Sequence, residues 1–186
     1  MKPTTLLLAS SSPRRRELLA RAGVDFEVTS SPAEEIHDAG IHPERLCEMN
    51  AALKAAAVAA QRPDAMVIGA DTLVFIDGEP LGKPADLDEA RAMLRRLSGR
   101  THMVCTGVCV ISPDGGRRLF HDTTKVTFRP LDEAAIEDYL SVANPLDKAG
   151  AYGIQESGER IIDGIEGSYE NVMGLPVEMV LAALGR

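Results

Sequence analysis

Three consecutive arginines, Arg14 to Arg16, stand at the start of a predicted helix in the stretch LASSSPRRRELL. Pro13 at the first helical position and Ser11 or Ser12 as the N-cap indicate that the helix begins here. The free N–H groups and the dipole of a helix N-terminus attract anions, so each arginine at this end destabilises the helix by roughly a few tenths of a kcal/mol. A helix start that accepts this cost is suited to binding phosphate.

The helical period gives the three arginines different surroundings. The apolar face of the helix is formed by three residues, Leu18, Leu19 and Ala22. At about 100° per residue, Arg15 falls near the centre of this face, Arg14 falls at its edge and Arg16 points outward. Arg15 must therefore turn toward the protein and meet an anion. A bound phosphate and a structural ion pair are the two candidates, and the position favours the phosphate.

Asp71 and Lys83 occupy positions where ligands often bind. Asp71 ends the apolar strand pattern in the segment GADT, and ligands of α/β proteins bind at the carboxyl ends of strands, although aspartate is also common where strands turn. Lys83 lies between Gly82 and Pro84, where it could present a fixed charge or be an ordinary solvated lysine. The segment PLGKP is not a P-loop, because Pro84 stands where serine or threonine would bind magnesium.

Other polar positions also leave two interpretations open. Glu34 and Glu35 lie in a stretch without periodicity, where acids are usually solvated, but with Asp71 they could bind a hard cation. Lys54 lies on an alanine-rich helix, where a lysine is ordinarily at the surface. The glycine-rich segments 147–155 and 165–176 either let the backbone approach a ligand closely or close the edge of the sheet.

Composition excludes several classes of function. The chain has 186 residues and a net charge of −8, so its surface as a whole should repel nucleic acid and anionic membranes. Aromatic residues make up 4% of the chain and tryptophan is absent, which disfavours a surface for stacking bases. The apolar run at residues 6–9 is shorter than a signal-peptide core, and three unpaired cysteines suit a reducing compartment. We therefore expect a cytoplasmic protein without membrane or nucleic-acid partners.

The hydrophobic pattern predicts the elements that must position these groups. Helices and strands alternate early in the chain and a long hairpin follows, which predicts an α/β domain with a mixed sheet over residues 1–186. The predicted strands are 4–9, 26–29, 66–69, 73–76, 102–111 and 117–128, with a turn at Asp77-Gly78. The predicted helices are 13–22, 43–61, 87–97, 131–140 and 176–184.

Taken together, the motifs resemble the Maf family of nucleoside triphosphate pyrophosphatases. In order along the chain they are SSSPRR, the KA of the long helix, GADT, GKP, DKAGAYGIQ and GSYENVMGLP, and they span residues 6–176. The resemblance implies a Maf/Ham1-like (ITPase-like) α/β fold, with a mixed twisted sheet flanked by helices and a central cleft. It also implies a homodimer and hydrolysis of a nucleoside triphosphate to the monophosphate and pyrophosphate with a divalent cation, Mg²⁺ or Mn²⁺.

The resemblance assigns roles to individual residues. Asp71 matches the family's proton acceptor. Four residues match its phosphate-binding positions: Ser10, Arg15, Lys54 and Lys83. Glu35 matches its loop acid and would hold the metal with Asp71, although local insertions leave Glu34 as a substitute. Three residues match positions linked to base selectivity: Arg14, Thr72 and Gln155.

The segments DKAGAYGIQ and GSYENVMGLP resemble the branch of the family that prefers dTTP and UTP over 7-methyl-GTP. The carboxamide of Gln155 offers a donor and an acceptor, which can pair with the edge that thymine and uracil share. In the alternative, Gln155 bonds only to neighbouring backbone and shape selects the base. Two other functions stay open: a pyrophosphatase of the 7-methyl-GTP branch, and a nucleotide-binding regulator of cell division that acts through a partner.

Overall fold

The computed structural model describes residues 4–38 and 40–186. Its strands are β1 Leu6–Leu8, β2 Glu27–Val28, β3 Met66–Ile76, β4 Glu79–Leu81, β5 Thr101–Ile111, β6 Arg117–Phe128 and β7 Ile162–Glu166. Its α-helices are α1 Pro13–Arg21, α2 Pro43–Gln61, α3 Leu87–Leu97, α4 Glu133–Val142, α5 Tyr169–Met173 and α6 Val177–Ala183. Short 3₁₀ turns lie at Ala149–Ala151 and Gly158–Arg160.

The helices and strands predicted from the sequence are present, but the strands predicted at 66–69 and 73–76 form one continuous strand, β3, so Asp71 lies inside a strand and the prediction that it ends one is wrong. Three further short elements are not predicted by the sequence. Strand β4 follows the predicted turn and completes its hairpin with β3. Strand β7 is largely exposed and exists because it pairs with β6, which the local sequence does not reveal. Helix α5 has five residues, too few to show a hydrophobic period, so the glycine-rich segment 165–176 does not predict it.

The sheet is mixed, as expected from the order of the elements. Its strand order is β2-β1-β3-β5-β6-β7, and β4 pairs with β3 outside this path. Strand β1 is parallel to both neighbours, with Leu7 opposite Glu27 in β2 and Val67 in β3. The pairs β3–β4 and β6–β7 are antiparallel. The parallel pairing of β1 with β3 ends at Leu8 and Ile68, and β3 continues beyond that point as far as Ile76.

The chain contains two compact units. The first comprises Met1–Asp71, Thr106–Asp122 and Gly174–Arg186, and the second comprises Thr72–Cys105 and Thr123–Met173. One core in the first unit contains Leu7, Ala9, Ala51, Ala52, Ala55, Val58, Ala65, Val67 and Cys109. A core in the second contains large side chains from α3, α4, β5 and β6, among them Leu94, Leu97, Phe128, Ile136 and Tyr139. A single domain over 1–186 stays a prediction.

None of the helices within residues 4–38 and 40–186 has the length and apolar character needed to cross a lipid bilayer.

Helix α2 packs directly against strand β3 at Gly69. A Cβ atom at this position would lie 2.3 Å from the carbonyl oxygen of Ala51 and 2.7 Å from the amide nitrogen of Ala55. The alanines of α2 and the missing side chain of Gly69 thus allow an approach that no larger residue permits. Asn50 and Lys54, one helical turn apart, reach the strand two residues further along, at Asp71.

Replacing Gly69 by alanine should force α2 away from β3, because the atoms in the way belong to the backbone. We expect Gly69→Ala to lower the free energy of unfolding in urea by about 1–3 kcal/mol. Gly164→Ala is the matched control, since a Cβ atom there meets nothing within 4 Å. Equal unfolding midpoints for the two variants would contradict the close approach at Gly69.

Candidate functional site

A largely buried ion cluster centred on Lys54 lies in the first unit. The Lys54 Nζ atom is 2.7 Å from Asp71 Oδ1 and 2.7 Å from Glu35 Oε1. The side chains of Lys54 and Asp71 are only 13% and 7% exposed, so Lys54 is not the solvated surface lysine that an alanine-rich helix suggests. Removing either charge from such a pair leaves the other poorly compensated, which destabilises a protein far more than loss of an exposed pair.

Asn50 is a member of this cluster that sequence analysis did not identify. Its Nδ2 group donates to Asp71 Oδ2 at 3.2 Å and to the carbonyl oxygen of Ile36 at 3.2 Å. Its Oδ1 atom accepts from the backbone N–H of Ile36 at 2.8 Å. The sequence contains one signal for this role: Asn50 is an amide among alanines, one helical turn before Lys54. An amide buried at such a position needs hydrogen-bond partners.

Of the two loop acids, Glu35 is the one that reaches the cluster. Its carboxylate contacts Lys54, whereas Glu34 is exposed and forms no ion pair in the part of the chain that the structure describes. The loop between β2 and α2 has no regular structure at these positions, and Asn50 fixes it at Ile36. The position of Glu35 therefore depends on a contact from α2 and not on a local backbone pattern.

Arg15 is held beside this cluster by two neutral acceptors. Its Nε atom donates to the carbonyl oxygen of Gly174 at 2.8 Å, and its Nη1 atom donates to Ser10 Oγ at 3.1 Å. Ser12 caps α1 by accepting from the Arg15 amide. Burial lowers the pKa of the Arg15 guanidinium, and the nearby Asp71 carboxylate partly offsets this effect. Arg15 thus remains a cation whose position is fixed in advance.

The burial of the three arginines follows the helical period. Arg16 is exposed, while Arg14 and Arg15 are half-buried, as the sequence predicted. Ser10 lies two residues beyond Leu8, which pairs with Ile68, and Asp71 lies within β3, three residues beyond Ile68, so both residues lie just past the edge at which the paired stretch of β1 and β3 ends. Such an edge is where ligands of α/β proteins bind.

The other predicted positions belong to the second unit. Lys83 is exposed and forms no ion pair with a residue in the described ranges, and Thr72 is half-buried. The Gly150 N–H donates to the carbonyl oxygen of Gly82 at 3.1 Å, which ties the loop of Lys83 to the segment that carries Gln155. Gly150 has a φ of 70°, a backbone conformation that suits glycine, and a Cβ atom there would lie 3.0 Å from Val74.

The segment that carries Gln155 is anchored by buried polar side chains. Lys148 Nζ lies 2.7 Å from Asp147 Oδ1 and 2.9 Å from Glu156 Oε2, with its side chain 4% exposed. The Gly153 N–H donates to the Tyr139 hydroxyl at 3.1 Å. Gln155 Oε1 is buried and has no hydrogen-bond partner among the described residues. A buried carboxamide oxygen of this kind is an acceptor available to a ligand.

His102 supports the same segment from the sheet. Its Nε2 atom lies 2.8 Å from the Tyr152 hydroxyl, and its ring stands edge-on to Phe128 with 4.9 Å between the centroids. His102 is 1% exposed, and burial lowers its pKa to about 4. The imidazole is therefore neutral at physiological pH.

Glu35 and Asp71 could also hold a metal ion. Both carboxylates lie within 2.7 Å of one ammonium group, so a single cation can be reached by both. Within the described residues, no group of three or more His, Cys, Asp and Glu side chains is arranged to hold a metal. Two carboxylates completed by phosphate oxygens and water are nevertheless the donor set that Mg²⁺ usually takes. The residues fit such an ion.

Comparison with known proteins places these residues in a family. A profile of the family described as Maf-like protein matches residues 5–186. The chain is 52% identical to a dTTP/UTP pyrophosphatase of Akkermansia muciniphila, an alignment that covers 96% of this chain and 94% of the relative. It is 49% identical to a dTTP/UTP pyrophosphatase of Bacillus velezensis over the same shares. The Ham1 protein of Staphylococcus aureus has the same fold, with a TM-score of 0.59, 16% identity and 98% of each chain covered.

Protonation of His102 should make the stability of the protein depend on pH. The pKa of His102 is about 4 in the folded state, against about 6.5 when unfolded, so lowering the pH through this window adds a proton to the unfolded state alone and destabilises the fold. Between about pH 7 and pH 4, the free energy of unfolding in urea should fall in both proteins. We expect the fall in His102→Gln to be smaller than in the wild type by up to about 3 kcal/mol. Acids that titrate in both proteins cancel in this difference. Identical pH slopes would contradict the neutral buried imidazole.

Proposed function

Because this chain belongs to the Maf-like protein family, we propose that it hydrolyses dTTP and UTP to the nucleoside monophosphate and pyrophosphate. The observation that carries the proposal is the cluster of Lys54, Asp71 and Glu35 beside a fixed Arg15. It combines a carboxylate able to take a proton with cations able to neutralise phosphate, which are the two requirements of this reaction.

Asp71 is the proposed general base. A water molecule attacks the α-phosphorus, the carboxylate of Asp71 accepts its proton, and the bond from that phosphorus to the bridging oxygen breaks to release pyrophosphate. Lys54 on Oδ1 and Asn50 on Oδ2 hold the two oxygens of this carboxylate, so its plane is fixed before the substrate arrives. A base that is already oriented costs no reorganisation during the reaction.

The proposed phosphate contacts are Ser10, Arg15, Lys54 and Lys83. Negative charge grows on the departing pyrophosphate, and cations that already point toward it stabilise that charge more than solvent does. Arg15 suits this role because its bonds to the carbonyl oxygen of Gly174 and to Ser10 Oγ orient its guanidinium. The proposed Mg²⁺ or Mn²⁺, held by Glu35 and Asp71, would supply further charge neutralisation on the phosphate oxygens.

Base selectivity is proposed for Arg14, Thr72 and Gln155. The support for Gln155 is its buried, unpartnered Oε1 atom on an anchored segment. A carboxamide there can accept from the N3–H of thymine or uracil and donate to a neighbouring carbonyl, whereas cytosine presents the opposite pattern. The homodimer and the cytoplasmic location implied by the sequence stay predictions.

Asp71→Asn should abolish turnover while triphosphate binding persists. Loss of a general base lowers kcat by about 10²–10⁴-fold, and more if Asp71 also holds the metal. Pyrophosphate release from dTTP measures kcat, and equilibrium binding of a non-hydrolysable dTTP analogue measures the affinity of the site for the triphosphate. A wild type that binds the analogue without releasing pyrophosphate would favour the regulator, and a mutant with near-normal kcat would contradict the role of Asp71.

Arg15 and Arg16 give a matched pair of variants. Arg15→Ala should lower kcat/KM for dTTP by about 10-fold or more, because a charge-assisted bond to phosphate contributes roughly 1.5–3 kcal/mol. Arg16→Ala should change kcat/KM by less than about 2-fold, since its side chain is exposed. Equal losses in the two variants would contradict the assignment of the phosphate contact to the half-buried arginine.

A panel of dTTP, UTP, CTP, GTP and 7-methyl-GTP tests the base contact. The wild type should favour dTTP and UTP over CTP, and Gln155→Ala should flatten that preference, because a site built to hydrogen-bond a base rejects one that lacks the match. A preference for 7-methyl-GTP would refute the assignment to this branch. Selectivity that Gln155→Ala leaves unchanged would instead assign discrimination to the shape of the pocket.

A further inference from the structure

We propose that Asn50 is a positioning residue that fixes the loop acid Glu35 and the base Asp71 in one arrangement around Lys54. The inference rests on the proposed function for its effect on catalysis, but not for its effect on the loop. Asn50 contacts no reacting atom in this scheme and acts through its two partners, Asp71 and the backbone of Ile36.

The carboxamide of Asn50 uses its nitrogen twice and its oxygen once. The N–H groups donate to Ile36 O and to Asp71 Oδ2, and the oxygen accepts from Ile36 N–H. At 1% exposure, water cannot replace these bonds. Because one end of the amide meets an N–H donor and the other end meets two oxygen acceptors, the contacts define which end is oxygen.

These bonds join three parts of the chain that lie apart in sequence. Ile36 follows Glu35 in a stretch without regular structure. Asn50 bonds to both its N–H and its C=O, as a neighbouring strand would in a sheet. The bond to Asp71 reaches the oxygen that Lys54 does not contact. Asn50 and Lys54 are four residues apart on α2, so one face of one helix supplies donors to both oxygens of the base.

Few other side chains can serve at this position. Leucine has a similar size but leaves the N–H and C=O of Ile36 without a partner and removes the donor to Asp71. Aspartate keeps the acceptor for the Ile36 N–H, loses the donor to the Ile36 carbonyl oxygen, and directs a carboxylate oxygen at Asp71, where it repels the base. The two substitutions therefore separate the anchoring of the loop from the orientation of the base.

The experiment compares Asn50→Leu and Asn50→Asp with the wild type and with Gln61→Leu, an amide-to-leucine control at an exposed position of the same helix. Hydrogen exchange at the Ile36 amide reports the loop, and kcat and KM for dTTP report the reaction. Asn50→Leu should accelerate exchange at Ile36 by about 10-fold or more and lower kcat by about 10–100-fold, the range found when a partner of a functional side chain is removed. Asn50→Asp should retain protection at Ile36 and still lose kcat to the same extent.

Each outcome decides between positioning and general support of the fold. Slow exchange at Ile36 in Asn50→Leu, or a kcat within about 2-fold of the wild type in both variants, would overturn the inference. A loss in kcat that Gln61→Leu shares would do so as well. If Asn50→Leu does not fold, the kcat of Asn50→Asp, at unchanged Ile36 protection, carries the test. A wild type without pyrophosphatase activity would refute the proposed function alone, since hydrogen exchange still reports the anchoring of the loop.

Discussion

One ammonium group, that of Lys54, contacts two carboxylates in the first unit, and much of the local structure follows from this constraint. Asp71 is buried, so its charge needs a partner, and Lys54 lies at 2.7 Å from it. Lys54 reaches that position only because α2 approaches β3 at Gly69, where no side chain fits. The same approach brings Asn50 to the other oxygen of Asp71. The packing of small residues against the strand therefore determines the surroundings of Asp71.

The site suits a substrate with several negative charges, because it holds two cations, Lys54 and Arg15. Lys54 contacts both acids, and Arg15 donates to Ser10 and to the backbone carbonyl of Gly174. In the second unit the segment of Gln155 is fixed by contacts of its neighbours Lys148 and Gly153. Arg15 and the segment of Gln155 are thus each oriented by other residues, which reduces the entropy lost when either binds a ligand.

The sequence predicted the long elements and the burial of the arginines because both follow from periodicity. Helix α2 was predicted with its observed bounds, and Arg15 and Arg16 differ in exposure as the 3.6-residue period requires. Asn50 was not found, since its importance depends on the path of a loop that carries no periodic pattern. Strand β7 was missed for a related reason, as pairing with β6 and not its own composition makes it a strand. Local sequence patterns do not predict contacts between segments that are distant in sequence.

The measurement that tests this account most directly is the kcat of Lys54→Met for pyrophosphate release from dTTP at saturating substrate. Methionine keeps the apolar stem and removes the charge that Asp71 and Glu35 share. The account predicts that kcat falls by about 10²-fold or more in a protein that still folds, as when a preorganised electrostatic partner is removed. A folded Lys54→Met enzyme with a kcat within about 2-fold of the wild type would contradict it.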